Sequence, residues 1–117
     1  MKAILFVDDH EVLARLSCEI LETQGYRAVS AYNAEDALDK FKREKFDILV
    51  TDFRMDGMNG LDLAKRIRQM MPGLPIVLAT GYADLPLHHA PGFLRLAKPY
   101  AQDELADVLN RAVQRSN

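Results

Sequence analysis

Short apolar runs alternate with longer amphipathic stretches along this chain, and this alternation constrains the fold more than any other feature. Residues 4–7, 48–50 and 76–79 are unbroken apolar runs, which is typical of parallel strands covered on both faces. Residues 26–32 and 93–97 are weaker strand candidates. The alternation predicts an α/β fold with a single doubly wound parallel sheet of five strands.

Four stretches between and after these runs predict helices. Asn33 is a good N-cap for the second helix, while Gly25 ends the first helix and Pro72-Gly73 stops the third. The apolar positions recur at helical spacing and are, in chain order, Val12, Leu13, Leu16, Ile20, Leu21, Ala34, Ala37, Leu38, Phe41, Leu63, Ala64, Ile67, Met70, Met71, Leu105, Val108, Leu109, Ala112 and Val113.

Size, charge and cysteine usage narrow the class of protein. The 117 residues have the length of one domain, and we expect residues 1–117 to form it. Fifteen basic residues against seventeen acidic ones give a net charge of −2, so no surface for nucleic acid or anionic membrane is expected. No apolar run approaches the ~20 residues that cross a bilayer, and no signal-peptide pattern begins the chain. The lone Cys18 fits a reducing compartment, so we expect a cytoplasmic location.

Polar side chains follow four of the predicted strands. Asp8 and Asp9 follow the first strand, Asp52 ends the third, Thr80 ends the fourth and Lys98 follows the fifth. Alone, an aspartate at a strand end is more often a helix cap or a solvated turn residue, Thr80 would usually be structural, and Lys98 would usually be a surface lysine. Because the carboxyl ends of parallel strands meet at one edge, we expect the five side chains to converge. Clustered carboxylates suit Mg²⁺, which prefers oxygen ligands, and a carboxylate can serve as a nucleophile in phosphoryl transfer.

Four motifs then carry a resemblance to a known family. They are Asp8-Asp9, the run over residues 52–60 (DFRMDGMNG), Ala79-Thr80-Gly81 and Lys98-Pro99-Tyr100. Together and in this order they resemble the receiver domain of two-component response regulators, over the whole chain. The resemblance implies a flavodoxin-like, chemotaxis-regulator-like sheet with the strand order 2-1-3-4-5.

The resemblance also implies a role for each motif residue. Asp52 would accept a phosphoryl group from a histidine kinase or a histidine phosphotransfer protein. Mg²⁺ would be held by Asp8, Asp9, Asp52 and the backbone carbonyl of Arg54. Thr80 and Lys98 would bind the phosphoryl group and start the surface change. The receiver would catalyse its own phosphorylation and dephosphorylation and would not be a separate enzyme.

The chain departs from the family pattern at three places. Asp56 stands where the family usually has proline, and Arg95 stands where its switch aromatic usually lies. The segment from Thr80 to Lys98 is about four residues short by the family's spacing and contains Pro86, and proline in a helix interior costs ~3 kcal/mol. We therefore expect the helix between the fourth and fifth strands to be short, irregular or missing. Since some regulators dimerise through this region, we expect a monomer.

Two other functions compete with the receiver. The first is a pseudo-receiver, a protein-binding module that acts without phosphorylation, which Asp56, Arg95 and the short segment would favour. The second is an aspartyl-phosphate phosphatase, but such hydrolases carry an acid two residues after the nucleophile, where this chain has Arg54. The motifs leave open whether the chain acts alone or belongs to a hybrid kinase.

Five remaining residues have simple structural interpretations. His88 and His89 are adjacent, so their side chains would point apart, and we expect a solvated loop rather than a metal pair. His10 is expected to cap or begin the first helix. Leu13 and Leu16 on that helix fit either a core face or, as the resemblance implies, a docking surface for the kinase.

Overall fold

A computed structural model describes residues 1–81 and 92–115 of the chain. The elements within these ranges are β1 (Ala3–Val7), α1 (Glu11–Thr23), β2 (Arg27–Ala31), α2 (Ala34–Arg43), β3 (Ile48–Asp52), α3 (Gly60–Met70), β4 (Ile76–Thr80), β5 (Leu94–Ala97) and α4 (Gln102–Arg115). The strands form one parallel sheet in the order β2-β1-β3-β4-β5. Both the predicted five-stranded sheet and the strand order implied by the resemblance are confirmed.

Each face of the sheet carries its own hydrophobic core, because successive side chains of a strand point to opposite faces. In β1, Leu5 and Val7 pack with α2 and α3, whereas Ile4 and Phe6 pack with α1 and α4. All five residues of β1 and of β4 are buried. The doubly wound arrangement therefore follows from apolar runs that are covered on both sides.

Polar side chains cap the helices that begin near the carboxyl edge of the sheet. Nδ1 of His10 accepts a hydrogen bond from the Leu13 N–H at 3.4 Å, so His10 is the N-cap of α1, as predicted. Asn33 caps α2 through the Asp36 N–H at 2.7 Å. Asn59 caps α3 in the same way. These caps fix where the chain leaves β1, β2 and β3 and so define the loops that form the site.

The inner face of α1 differs from the predicted apolar stripe. The helix buries Ala14, Cys18 and Leu21, and the two smaller side chains let the helix lie close to the sheet. The exposed fractions of Val12, Leu13 and Leu16 are 51%, 51% and 49%. The interpretation of Leu13 and Leu16 as core residues is therefore wrong, and three large apolar side chains face outward from α1.

The end of α3 also differs from the predicted apolar stripe, which included Met70 and Met71. Leu63, Ala64 and Ile67 are buried as expected, whereas Met70 and Met71 are exposed. Met70 is the last residue of the helix and Met71 is its C-cap, so the buried face of α3 ends before the two methionines.

Two expectations concern membranes and the segment before β5. Among the described helices, none is long and apolar enough to span a bilayer. The predicted irregular helix with Pro86, and the predicted loop with His88 and His89, fall in residues 82–91, outside the described residues.

Candidate functional site

The site lies at the carboxyl edge of the sheet, where the predicted residues end neighbouring strands. Asp52 is the last residue of β3, and Thr80 is the last residue of β4. In the strand register Asp52 pairs with Ala79, and Thr80 pairs with Ala97. Asp8 and Lys98 directly follow β1 and β5. The convergence expected from the strand ends is therefore observed.

Three carboxylates form the acidic part of the site. One carboxylate oxygen each from Asp8, Asp9 and Asp52 lies within 4.8 Å of the other two. Asp8 is buried, Asp9 is exposed, and the side chain of Asp52 is 11% exposed. The His10 N–H donates to Oδ1 of Asp8 at 2.9 Å, which orients that carboxylate. Like charges this close repel one another, so a bound cation would stabilise the cluster.

Lys98 supplies a positive charge from the opposite side of Asp52. Its Nζ lies 2.6 Å from Oδ1 of Asp52. Its backbone N–H donates to the carbonyl oxygen of Thr80 at 2.8 Å. The sheet itself therefore positions the lysine, because the strand pairing of β4 and β5 continues one residue past Ala97.

The surroundings of Asp52 change the acidity of its carboxyl group. Burial raises the pKa of Asp52 above its ordinary value, and the charges of Asp8 and Asp9 raise it further. The hydrogen bond and the charge of Lys98 oppose this rise. Since the net shift is upward, burial outweighs the lysine, and the carboxylate of Asp52 is less stabilised than it would be in water.

The donor set fits a hard divalent cation. All three side chains offer carboxylate oxygens, and oxygen ligands with room left for water suit Mg²⁺ better than softer metals. Asp9 is exposed, so the cluster can be reached from solvent. Burial of a carboxylate such as Asp8 is unfavourable unless it is paired, and a cation at the cluster would relieve that cost.

The loop after β3 packs closely against the end of the strand at Gly60, which has no side chain. A Cβ built on Gly60 would overlap the backbone carbonyl of Asp52, with the carbonyl carbon at 2.9 Å. The Gly60 N–H donates to the carbonyl oxygen of Phe53 at 2.8 Å. The start of α3 therefore rests directly on the peptide that carries Asp52. The sequence analysis noted Gly60 only as part of a motif, and no pattern in the sequence predicted this contact.

The same loop forms one wall of a cavity beside the carboxylates. Arg54 and Asp56 line it together with Asp9, and its volume is about 400 Å³. Both loop residues are exposed. Asp56, which replaces the family's usual proline, therefore adds a negative charge at the mouth of the site.

Arg95 lies in β5 beside Leu78 of β4. It is partly exposed, whereas its neighbours Leu94 and Leu96 pack into the core shared with α1 and α4. Because side chains alternate along a strand, Arg95 points to the opposite face of the sheet. No aromatic ring occupies this position of the strand.

Tyr100 is a site neighbour that the sequence analysis named only as part of the Lys98-Pro99-Tyr100 motif. It packs against the core shared with α1 and α4. Together with Asp8, Leu13, Ser17 and Lys98 it lines a cavity of about 600 Å³. The signal available in the sequence was a side chain with a hydroxyl group close to the end of the fifth strand.

Comparisons with known proteins agree with this architecture. The family model described as the response regulator receiver domain matches residues 4–110. The response regulator receiver protein CpdR of Brucella abortus is 33% identical over 114 residues, which cover 94% of this chain and 92% of that protein. The transcriptional regulatory protein GlrR of Escherichia coli K12 is 32% identical over 117 residues, which cover 97% of this chain and 26% of that protein.

A solved structure gives the same result in three dimensions. The response regulator protein TrrA of Thermotoga maritima, in complex with Mg(2+)-BeF, has a TM-score of 0.87 and 31% sequence identity. The match covers 96% of this chain and 99% of that one. The chain spans about a quarter of the length of the first three curated relatives and nearly the full length of CpdR and TrrA.

Proposed function

The chain belongs to the response regulator receiver domain family, and from this premise we propose that it accepts a phosphoryl group on Asp52 from the phosphohistidine of a kinase or phosphotransfer protein. The observation that carries the proposal is the joint placement of three carboxylates and one ammonium group at a single strand edge. Oδ1 of Asp52 faces Lys98 at 2.6 Å, and oxygens of Asp8 and Asp9 lie within 4.8 Å of an Asp52 oxygen.

The proposed transfer exchanges one bond to phosphorus for another. An oxygen of the Asp52 carboxylate attacks phosphorus, the bond from phosphorus to the imidazole nitrogen breaks, and its electron pair stays on the imidazole. Lys98 stabilises the negative charge on the phosphoryl oxygens through its ammonium group, and Thr80, the last residue of β4, is the residue proposed to follow them. This chemistry depends chiefly on positioning and electrostatics.

Mg²⁺ is the proposed cofactor. Asp8, Asp9 and Asp52 would hold it, and the Arg54 carbonyl is the further ligand implied by the resemblance. When bound, the ion would neutralise charge shared between the carboxylates and the phosphoryl oxygens. Its binding would also relieve the repulsion that the three carboxylates exert on one another.

The proposed phosphodonor docks beside the site on α1. Val12, Leu13 and Leu16 are each about half exposed, and α1 begins two residues after Asp9. A helical bundle that carries a phosphohistidine would cover these apolar side chains and bring the donor to the carboxylates. No surface for nucleic acid is proposed, because the chain carries a net charge of −2, and we propose a cytoplasmic monomer.

The decisive experiment incubates the protein with acetyl phosphate, with and without Mg²⁺, and follows its intact mass. We expect the gain of one phosphoryl group, dependent on Mg²⁺ and abolished in Asp52→Asn. Asp56→Asn is the matched control, because it removes a carboxyl group from the same loop, and it should still be labelled.

Two results would contradict the proposal. Retained labelling in Asp52→Asn would mean that another residue is the acceptor. Absence of labelling in the wild-type protein, together with no heat of Mg²⁺ binding in calorimetry, would favour the pseudo-receiver, a binding module that acts without phosphorylation.

A further inference from the structure

The side chain of Arg68 joins the two chain segments that lead into β4 and β5. It donates one hydrogen bond to the carbonyl oxygen of Pro72 at 3.0 Å and another to the carbonyl oxygen of Gly92 at 2.7 Å. Pro72 lies in the segment that precedes β4, and Gly92 lies shortly before β5. A single guanidinium group therefore bridges the points at which two neighbouring strands enter the sheet.

Arg68 also contacts the residue that follows Gly92. Its guanidinium carbon lies 5.2 Å from the centre of the Phe93 ring, a distance at which a cation attracts an aromatic face. Phe93 in turn packs against the core cluster on the side of α2 and α3. The hydrogen bond and the ring contact together attach the two residues before β5 to α3.

The packing around this bridge is open. A cavity of about 220 Å³ has a lining that includes Arg68, Ile76, Gly92 and Leu94. Since Ile76 and Leu94 are the first residues of β4 and β5, the cavity lies between the beginnings of the two strands. Gly92 has no side chain that could fill this space. The guanidinium group therefore supplies a connection that close packing does not supply at this point.

A guanidinium group suits this bridge better than an ammonium group. Its planar fork presents several donors in fixed directions, so it can hold two carbonyl oxygens of different segments at a fixed separation. Burial lowers the pKa of Arg68, but an arginine side chain stays charged at neutral pH. Hydrogen bonds from a charged donor are among the stronger ones in proteins.

The other end of α3 lies at the proposed phosphoacceptor. Gly60, the first residue of the helix, rests against the backbone carbonyl of Asp52, whereas Arg68 lies in its last turn. The helix is thus attached at one end to the strand that carries Asp52 and at the other end to the start of the strand that precedes Lys98. Both partners of the 2.6 Å ion pair are therefore positioned from the same helix.

We propose that Arg68 is a positioning residue that fixes β5 along β4 and thereby presents the Lys98 ammonium group to Asp52. The strand β5 has four residues and lies at the edge of the sheet, so its ladder with β4 is short and an attachment at its start adds to it. This inference rests on the proposed function for its consequence in phosphoryl transfer, but not for its structural part.

The test first compares Arg68→Met with the wild type by hydrogen exchange. Methionine has a helix propensity close to that of arginine, so the substitution removes the donors without disfavouring α3. Protection of the Lys98 amide, which donates to the Thr80 carbonyl, should fall about three- to tenfold, as expected when hydrogen bonds that hold β5 are lost. The Asp8 amide, which donates to the Ala31 carbonyl, reports general loosening and should keep its protection.

Two further variants separate the bridge from charge and from the helix itself. Arg66→Met is the matched control, because Arg66 is exposed on the same helix, and it should leave the protection of the Lys98 amide unchanged. Arg68→Lys retains the positive charge but replaces the fork by a single ammonium group. Protection of the Lys98 amide in Arg68→Lys should therefore stay at least about twofold below that of the wild type.

Acetyl phosphate labelling tests whether Arg68 acts through Lys98. Labelling of Asp52 should slow about three- to tenfold in Arg68→Met, whereas Mg²⁺ affinity should stay within about twofold of the wild type, since no carboxylate is changed. In a Lys98→Ala background the same substitution should slow labelling by less than about twofold, because the ammonium group that Arg68 positions is already absent. A purely structural role would slow labelling equally in both backgrounds.

The outcomes distinguish this inference from the proposed function. If the wild type takes no phosphoryl group but Arg68→Met selectively lowers the protection of the Lys98 amide, the structural part stands and the proposed function fails. Unchanged protection of the Lys98 amide in Arg68→Met, or full protection in Arg68→Lys, would overturn the positioning role. An equal loss at the Asp8 amide, an equal loss in Arg66→Met, or equal slowing of labelling in both backgrounds would overturn it as well.

Discussion

Nζ of Lys98 reaches past the end of β4 to lie 2.6 Å from Oδ1 of Asp52. Asp52 ends β3 and Lys98 follows β5, and these two strands are not neighbours, since β4 lies between them. The pair therefore bridges three strand ends, and Thr80, at the end of the middle strand, accepts the Lys98 N–H. One ion pair and one backbone hydrogen bond thus join Lys98 to the other two residues.

Removal of the lysine side chain should separate cation binding from phosphoryl transfer. In Lys98→Ala the three carboxylates remain, and the loss of a nearby positive charge makes the cluster more negative, so Mg²⁺ should bind at least as tightly as in the wild type. Labelling by acetyl phosphate should slow by about tenfold or more, because a charge-assisted contact to the phosphoryl oxygens is lost. Calorimetry and intact mass measure the two effects.

Lys45→Ala is the control for Lys98→Ala, because Lys45 is exposed and lies before β3, at the opposite edge of the sheet. It should change neither Mg²⁺ binding nor labelling. Weaker Mg²⁺ binding in Lys98→Ala would show that the lysine organises the carboxylates and would contradict the role assigned to it.

Gly60→Ala should destabilise the protein and disturb Asp52. The added Cβ would overlap the Asp52 carbonyl, and overpacking against backbone that must shift costs about 1–3 kcal/mol. Urea unfolding should show this loss of free energy, and calorimetry should show weaker Mg²⁺ binding. Gly73→Ala is the matched control, since its Cβ would have no heavy atom within 4 Å. A similar loss in both variants would mean that helix or loop propensity, rather than the contact with Asp52, is responsible.

The thiol of Cys18 should react slowly in the folded protein. Cys18 is buried, and its pKa is raised to about 11, mainly by burial. Because the thiolate is the reactive form, a disulfide reagent at pH 8 should modify the folded protein far more slowly than the protein in guanidinium chloride. Fast modification without denaturant would show that α1 opens readily from the sheet.

The same shift predicts how stability depends on alkaline pH. The folded-state pKa of the Cys18 thiol lies above its ordinary value of 9.0, so folding favours the protonated thiol. This contribution is fully present below about pH 9 and is lost as pH rises towards 11. The free energy of unfolding of Cys18→Ala should therefore fall less between pH 9 and 11 than that of the wild type. Equal losses would place the thiol in a more solvated environment.

His10→Asn should stabilise α1. The imidazole accepts the capping hydrogen bond at 3.4 Å, whereas the Asn33 side chain makes the equivalent bond at 2.7 Å. Asparagine is among the strongest N-caps, so the free energy of unfolding should rise by about 0.5–1 kcal/mol. Asn33→Ala should lower it by about 1 kcal/mol. Thermal unfolding without Mg²⁺ measures both, and a decrease for His10→Asn would mean that the imidazole has a stabilising contact beyond its capping bond.

The sequence was sufficient to predict the strands and the convergence of their polar ends. Buried parallel strands such as β4 are continuous apolar runs, and the geometry of a parallel sheet then brings Asp52 and Thr80 to one edge. The strand order came from the resemblance, and the structure confirms it. The roles assigned to Asp8, Asp9 and Arg54 at a cation remain predictions.

What the sequence could not predict depends on contacts between elements. The rotation of α1 was mispredicted because small residues, Ala14 and Cys18, form its inner face, whereas apolar periodicity gives more weight to Leu13 and Leu16. The contact of Gly60 with Asp52 depends on how a loop and a helix meet. Hydrophobic spacing contains no information on such distances.

The hydrogen bond from the Lys98 N–H to the Thr80 carbonyl separates the position of the lysine from the length of the connection between β4 and β5. Because the ladder between β4 and β5 sets the separation of these two residues, the number of residues that join the strands does not enter that separation. A change in the number of residues between Gly81 and Gly92 should therefore leave the separation of Thr80 and Lys98 unchanged.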